Sequence, residues 1–201
     1  TYFNGTVTSG ILTSNTPSTT INVNPANSTT YTLVTIVDAN CQGSVAGIAD
    51  ITVNPLPLPV ITGDLAICDG ETTTLTTTQS YVSYDWSNNA TQSAVATGTA
   101  GIYTVTVIDN NGCEGTSPAV NLIVNAVPVV AFTNDTSLTC SVPKINFTNL
   151  SVYDAGSVFA WSFGDGGQAN ESNPSHLYYV PGSYPVSLTI TTPAGCISST
   201  S

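Results

Sequence analysis

With 201 residues, the chain has room for one large domain or two to three small ones. Only 6% of residues are charged, and twelve acidic side chains stand against a single lysine, Lys144, for a net charge of −11. Phosphate backbones must be neutralised by basic side chains and anionic lipid surfaces repel a polyanion, so nucleic-acid binding and electrostatic membrane docking are excluded. No apolar run is long enough for membrane insertion, and no signal peptide opens the chain. Thr1 is therefore expected to begin a mature or excised segment.

Thr, Val, Ile and Tyr dominate the ordered-looking stretches, and these residues favour strands because branched or flat side chains pack well on a pleated surface. In chain order, the first loosely alternating run is YTLVTIV from Tyr31. In YVSYDWS, alternation puts Tyr84 and Trp86 on one face and Tyr81 on the other. In YTVTVID, Tyr103, Val105 and Val107 share a face. In PKINF, Ile145 and Phe147 take the core face and send Lys144 to solvent. FAWSF (159–163) reads as a strand with Trp161 inside, and YPVSLTI repeats the alternation with Tyr184, Val186, Leu188 and Ile190. Breaks rich in Gly, Pro and Asn separate these runs, which predicts an all-β fold of sandwich type.

Internal repeats organise the chain. YTLVTIVDANCQG (31–43) matches YTVTVIDNNGCEG (103–115), and ITVNPLPLPVITGDLAIC (51–68) matches LIVNAVPVVAFTNDTSLTC (122–140). The spacing predicts a linear array of modules with boundaries at the proline-stiffened segments: a partial module at 1–54, a complete one at 55–127 and a third at 128–201. The first is expected to lack its early strands and the third its last one.

The richest stretch is WSFGDGGQANESNPSHLYYVPGSYPVSLTI (161–190). Its order W-x-F-G-D-G, then N-P-x-H-x-Y, then G-x-Y-x-V-x-L resembles the PKD domain, an immunoglobulin-like sandwich of extracellular proteins. ICDGETTTLTT, YDWSNNATQSAVATGTAGIYTVTVIDNNGC and TTYTLVTIVDANC resemble the immunoglobulin-like repeats of giant Bacteroidota cell-surface adhesins, the class that includes the SprB-type gliding-motility adhesins exported by type IX secretion. The resemblance implies Trp86 and Trp161 as core residues, Tyr103 and Tyr184 as tyrosine corners, and Asp165 as a turn former. It implies His176 as a structural histidine whose ring bonds the turn backbone, with Asp165 or Trp161 nearby.

The chemical alternatives are thinner. Hydrolysis through His176 needs a nucleophile or an orienting carboxylate, and acid–base work by Asp165 needs a second positioned group, for which only Glu171 offers itself. Oxygen ligands for calcium occur as Asp69 and Glu71 in CDGE and as Asp109, Asn111 and Glu114 in IDNNGCEG. Neither run has the spacing of a dedicated calcium loop, so a shell would need acidic loops meeting at a module junction; no other cofactor is indicated. Tyr81 and Tyr179 are the tyrosines expected to face outward, where sugars could stack.

The five cysteines complete the reading. The strand directions implied by the family place Cys68 near Cys196, as an inter-module staple. Cys41, Cys113 and Cys140 would then pair outside the segment. The alternative is pairing within modules, Cys68–Cys113 and Cys140–Cys196. The expected function is a structural and adhesive repeat segment of a bacterial surface fibre, extracellular and not an enzyme, whose partners are neighbouring modules, surface glycans or other surface proteins. The competing readings are an accessory region of a secreted hydrolase and a carbohydrate-binding module.

Overall fold

A computed structural model describes residues 2–3, 8–9, 20–37, 40–135 and 144–201. Among them every regular element is a strand, which establishes the all-β fold. The chain divides into two compact units, Thr1–Leu58 with Ile108–Gly115, and Pro59–Val107 with Thr116–Ser201.

The first six strands are β1 (Tyr2–Phe3), β2 (Thr8–Ser9), β3 (Thr29–Leu33), β4 (Ile36–Val37), β5 (Gln42–Gly43) and β6 (Ile48–Ile51). They form a four-stranded sheet in the order β2-β1-β3-β6 and a small β4-β5 ribbon. Beyond the β3–β6 ladder, Ser28 Oγ accepts the amide of Val53 at 3.0 Å and Thr30 Oγ1 donates to Asp50 Oδ1 at 2.6 Å.

The middle sandwich contains β7 (Ile61–Thr62), β8 (Ala66–Cys68), β9 (Thr73–Thr77), β10 (Ser83–Trp86), β11 (Ala94–Thr97), β12 (Gly101–Tyr103), β13 (Val105–Ile108), β14 (Glu114–Thr116) and β15 (Val120–Asn125). Its sheets run β11-β9-β7, β10-β13-β14 and β12-β15-β8. All three feed one core of Ile61, Ile67, Leu75, Trp86, Val95, Tyr103, Val105, Val107 and Leu122. The run YTVTVID is divided between sheets: β12 ends at Tyr103 and pairs with β15, whereas β13 starts at Val105 and joins β10. At the break, the amide of Thr104 donates to Ser87 Oγ at 3.2 Å. Tyr103, Val105 and Val107 still point into the core, so alternation survives the change of sheet.

The C-terminal sandwich contains β16 (Phe132–Asn134), β17 (Lys144–Asn149), β18 (Val158–Ser162), β19 (Gln168–Ala169), β20 (Ser175–Leu177), β21 (Ser187–Thr191) and β22 (Ile197–Thr200). Its sheets run β16-β17-β20 and β19-β18-β21-β22. Phe147, Trp161, Phe163, Tyr178, Leu188 and Ile190 form its core, and Lys144 is exposed as the alternation requires. The YPVSLTI run becomes regular only at Ser187, because Pro185 has no amide to give a ladder.

Candidate functional site

The turn that closes β18 onto β19 is built by its glycines. Phe163 N–H donates to Gly167 O at 3.0 Å, and Gly164 sits at φ 82°, with a Cβ there predicted to come within 2.7–2.9 Å of the Pro185 backbone and ring. Only glycine meets both demands. Asp165 Oδ1 accepts the Gly167 amide at 2.9 Å, and Asp165 Oδ2 takes His176 Nε2 at 2.7 Å. The imidazole lies flat on Phe163, ring centroids 4.2 Å apart, and meets the edge of Tyr178 at 4.6 Å. Gly167 leaves the space the ring occupies, since a Cβ there would overlap His176 Cε1. The ring therefore bonds a carboxylate and not the turn backbone: Nε2 meets Asp165 Oδ2, while the other carboxylate oxygen holds the Gly167 amide.

Electrostatics follow the same contacts. The His176 hydrogen bond, then the Gly167 amide, hold the Asp165 carboxyl below its ordinary value. Burial pushes the Tyr178 phenol up, and the negative charge of Asp165 adds to it. Tyr178 donates to Phe163 O at 2.9 Å and stacks on Tyr184. Tyr178 is the tyrosine of the N-P-x-H-x-Y motif, and its position two residues after His176 puts both on one face of the same segment. Glu171 does not join the Asp165–His176 pair as a further acid or base: its Oε2 accepts the Asn170 amide at 3.2 Å. The arrangement locks a turn against a core.

Matching anchors recur in both sandwiches. Trp86 Nε1 donates to Gln92 O at 2.9 Å, and Trp161 Nε1 to Glu171 O at 3.0 Å. The acceptor lies six residues on in one case and ten in the other, the difference absorbed by the longer Gly-rich turn. Tyr103 donates to Thr99 O and Tyr184 to Val180 O, each at 2.8 Å and each four residues upstream. That backward bond is the tyrosine corner.

Cys68 and Cys196 are joined by a disulfide with Cα atoms 5.6 Å apart, which leaves no place for the within-module pairs Cys68–Cys113 and Cys140–Cys196. The bridge runs from β8 of the middle sandwich to the β21–β22 turn of the C-terminal one. Both ends are held: β8 pairs in parallel with β15, aligning Cys68 with Asn125, and Cys196 N–H donates to Thr192 Oγ1 at 3.0 Å. Cys113 is a half-buried thiol, Cys41 is exposed, and Cys140 lies outside the described residues.

Two of the carboxylates considered for calcium, Asp109 and Glu71, serve turns. Asp109 Oδ1 accepts the amides of Asn111 at 2.8 Å and Cys113 at 2.9 Å, and the Cys113 bond is the main reason its carboxyl is held low. Glu71 Oε2 accepts the Cys68 amide at 2.9 Å, while Asp69 and Glu114 are exposed. Among the described residues no three His, Cys, Asp or Glu side chains gather into a metal-holding group. Tyr81 is not outward-facing as expected. It precedes β10, so strand alternation does not govern it, and it packs edge-on against Tyr84 beside the core. Tyr179 is 78% exposed.

The tyrosine corner, the buried tryptophan and the mainly antiparallel sheets define an immunoglobulin-like β-sandwich. Residues 125–201 match the PKD domain family. A similar solved structure is the PKD1 domain of Epp from Vibrio anguillarum, 33% identical, with 38% of this chain and 88% of that one covered and a TM-score of 0.33. No curated protein matches the chain. PKD domains are typically extracellular, non-catalytic structural modules. Among the described residues no helix is long and apolar enough to cross a membrane.

Proposed function

We propose that the chain is a structural and adhesive repeat segment of a long extracellular bacterial surface protein. It holds β-sandwich modules in a fixed relation and displays their loops to the surroundings. The observation that carries this reading is the Cys68–Cys196 bridge between the middle and C-terminal sandwiches. A covalent tie between adjacent beads serves transmission of load and orientation; a catalytic site gains nothing from it. The Asp165–His176 clamp fits the same reading, because its groups are consumed in fixing a turn. A chain with one lysine and no arginine offers few cleavage points to trypsin-like proteases. The repeat motifs favour a parent among the gliding-motility adhesins exported by type IX secretion.

Small-angle scattering of the full chain tests the spacer role. The oxidised protein is expected to give one narrow distribution of intramolecular distances, and the Cys68→Ser variant a broader one with the same sandwich content by circular dichroism. Identical distributions from the two proteins would overturn the reading.

A further inference from the structure

The turn between β13 and β14 reads Asp109-Asn110-Asn111-Gly112. It is closed by the Gly112 amide, which donates to Asp109 O at 3.1 Å, and by the Asp109 amide, which donates to Cys113 O at 3.0 Å. Asn111 and Gly112 are both exposed. Gly112 sits at φ 78°, and a Cβ placed there would meet nothing within 4 Å. The Asn111 carboxamide is tethered by one contact, from Nδ2 to Asp109 Oδ2 at 3.5 Å, which is the outer limit of a hydrogen bond. Attack of a backbone nitrogen on the preceding carboxamide closes a five-membered ring. Such intramolecular attack is favoured by proximity, and most of all where the attacking residue has no side chain in the way. This turn offers both conditions.

We propose that Asn111 is a site of self-modification, converted by the Gly112 nitrogen to aspartate and isoaspartate. Once its bond to Asp109 O opens, the Gly112 nitrogen gives its proton to hydroxide and bonds to Asn111 Cγ. The Cγ–Nδ2 bond breaks, and Nδ2 takes up a proton and leaves as ammonia. Water then opens the cyclic imide. Cleavage between Cγ and the nitrogen leaves aspartate; cleavage between the Asn111 carbonyl carbon and the nitrogen leaves isoaspartate. Nothing is oxidised or reduced. Other sites lack a condition: Asn110 is followed by Asn111, whose Cβ obstructs the attack. Asp69 and Asp165 precede Gly70 and Gly166, but a carboxylate is a far poorer electrophile than a carboxamide, and both Asp165 oxygens are engaged. Either product adds a negative charge beside Asp109, and like charges at that range repel. Asp109 Oδ1 accepts the Cys113 amide at 2.9 Å, so the modification weakens that bond as well.

The test incubates the folded full chain in warm, mildly alkaline buffer and follows each asparagine by peptide mass mapping, with a urea-denatured sample in parallel. Asn111 is expected to convert about 10-fold or more faster than Asn110, at a rate that rises with pH, and to yield both aspartate and isoaspartate. Gly112→Ala should slow the conversion by about 10-fold or more. Asn111→Gln keeps the carboxamide but lengthens its arm, so it should stay unmodified even if the alanine variant does not fold. In the converted fraction, hydrogen exchange at the Cys113 amide should be faster than in the parent. Conversion of Asn111 in urea but not in the folded chain overturns the proposal. Equal rates at Asn110 and Asn111, or unaltered Cys113 exchange after conversion, overturn it too.

Discussion

Cys68 and Cys196, 128 residues apart in sequence, are bonded across two β-sandwiches with their Cα atoms 5.6 Å from each other. Each sulfur is carried by a segment that is itself fixed, β8 in its parallel pairing with β15 and the Thr192–Cys196 turn in its reciprocal hydrogen bonds. The bridge thus connects two locally fixed segments, and it constrains the unfolded chain through a very long loop. Disulfides typically contribute about 2–4 kcal/mol, more for longer loops. Cys68→Ser is therefore expected to lower stability by about that amount and to split one calorimetric transition into two. A single transition unchanged in position would show that the bridge carries no coupling.

Trp161 is 2% exposed and holds its indole N–H on Glu171 O. Trp161→Ala should cost about 3–5 kcal/mol, enough to unfold a marginal domain. Trp161→Phe keeps most of the packing and removes the bond, which should cost less than the truncation to alanine. Urea midpoints of both variants against the parent check the order; equal losses would mean that the ring itself does not matter.

The alternation of apolar residues, the two tryptophans and the two corner tyrosines were legible because each follows from a local pattern: period two, or a fixed spacing from Gly. What stayed hidden depended on partners distant in sequence. Nothing local says that the strand through Thr104 changes sheets, since both halves keep the same inward face. Tyr81 looked outward by alternation, but it lies before the strand begins, and its amide donates to the Tyr84 hydroxyl at 2.8 Å. Asp165 was expected near His176, but the direct bond to the ring was not, because the two are eleven residues apart and only the folded turn brings Asp165 Oδ2 to it.

The Asp165–His176 contact makes stability depend on acidity. Because the Asp165 carboxyl is held below its ordinary value of 3.8 in the folded chain, its contribution is complete above that value and is lost as pH falls through the lowered one. Denaturant midpoints of the C-terminal sandwich should therefore decline below about pH 4. Asp165→Asn should flatten this acid limb relative to the parent. An unchanged slope in Asp165→Asn would rule out the carboxylate as its source.

Gly167→Ala places a methyl group where the His176 ring lies. The imidazole should leave Phe163 and Asp165, lowering the melting temperature and removing the ring-current shift of the His176 protons in the NMR spectrum. If those resonances stay where they are in the parent protein, the clamp geometry is wrong.

The Cys68–Cys196 bridge is expected to make two sandwiches mechanically one. Pulling the full chain from its two ends in a single-molecule force experiment tests it directly. With the disulfide intact, the 128-residue loop from Cys68 to Cys196 cannot extend even after its sandwiches unfold. Reduction should add about 420–460 Å of released contour length, at about 3.3–3.6 Å per residue. Oxidised and reduced chains that extend to the same final length would contradict the account.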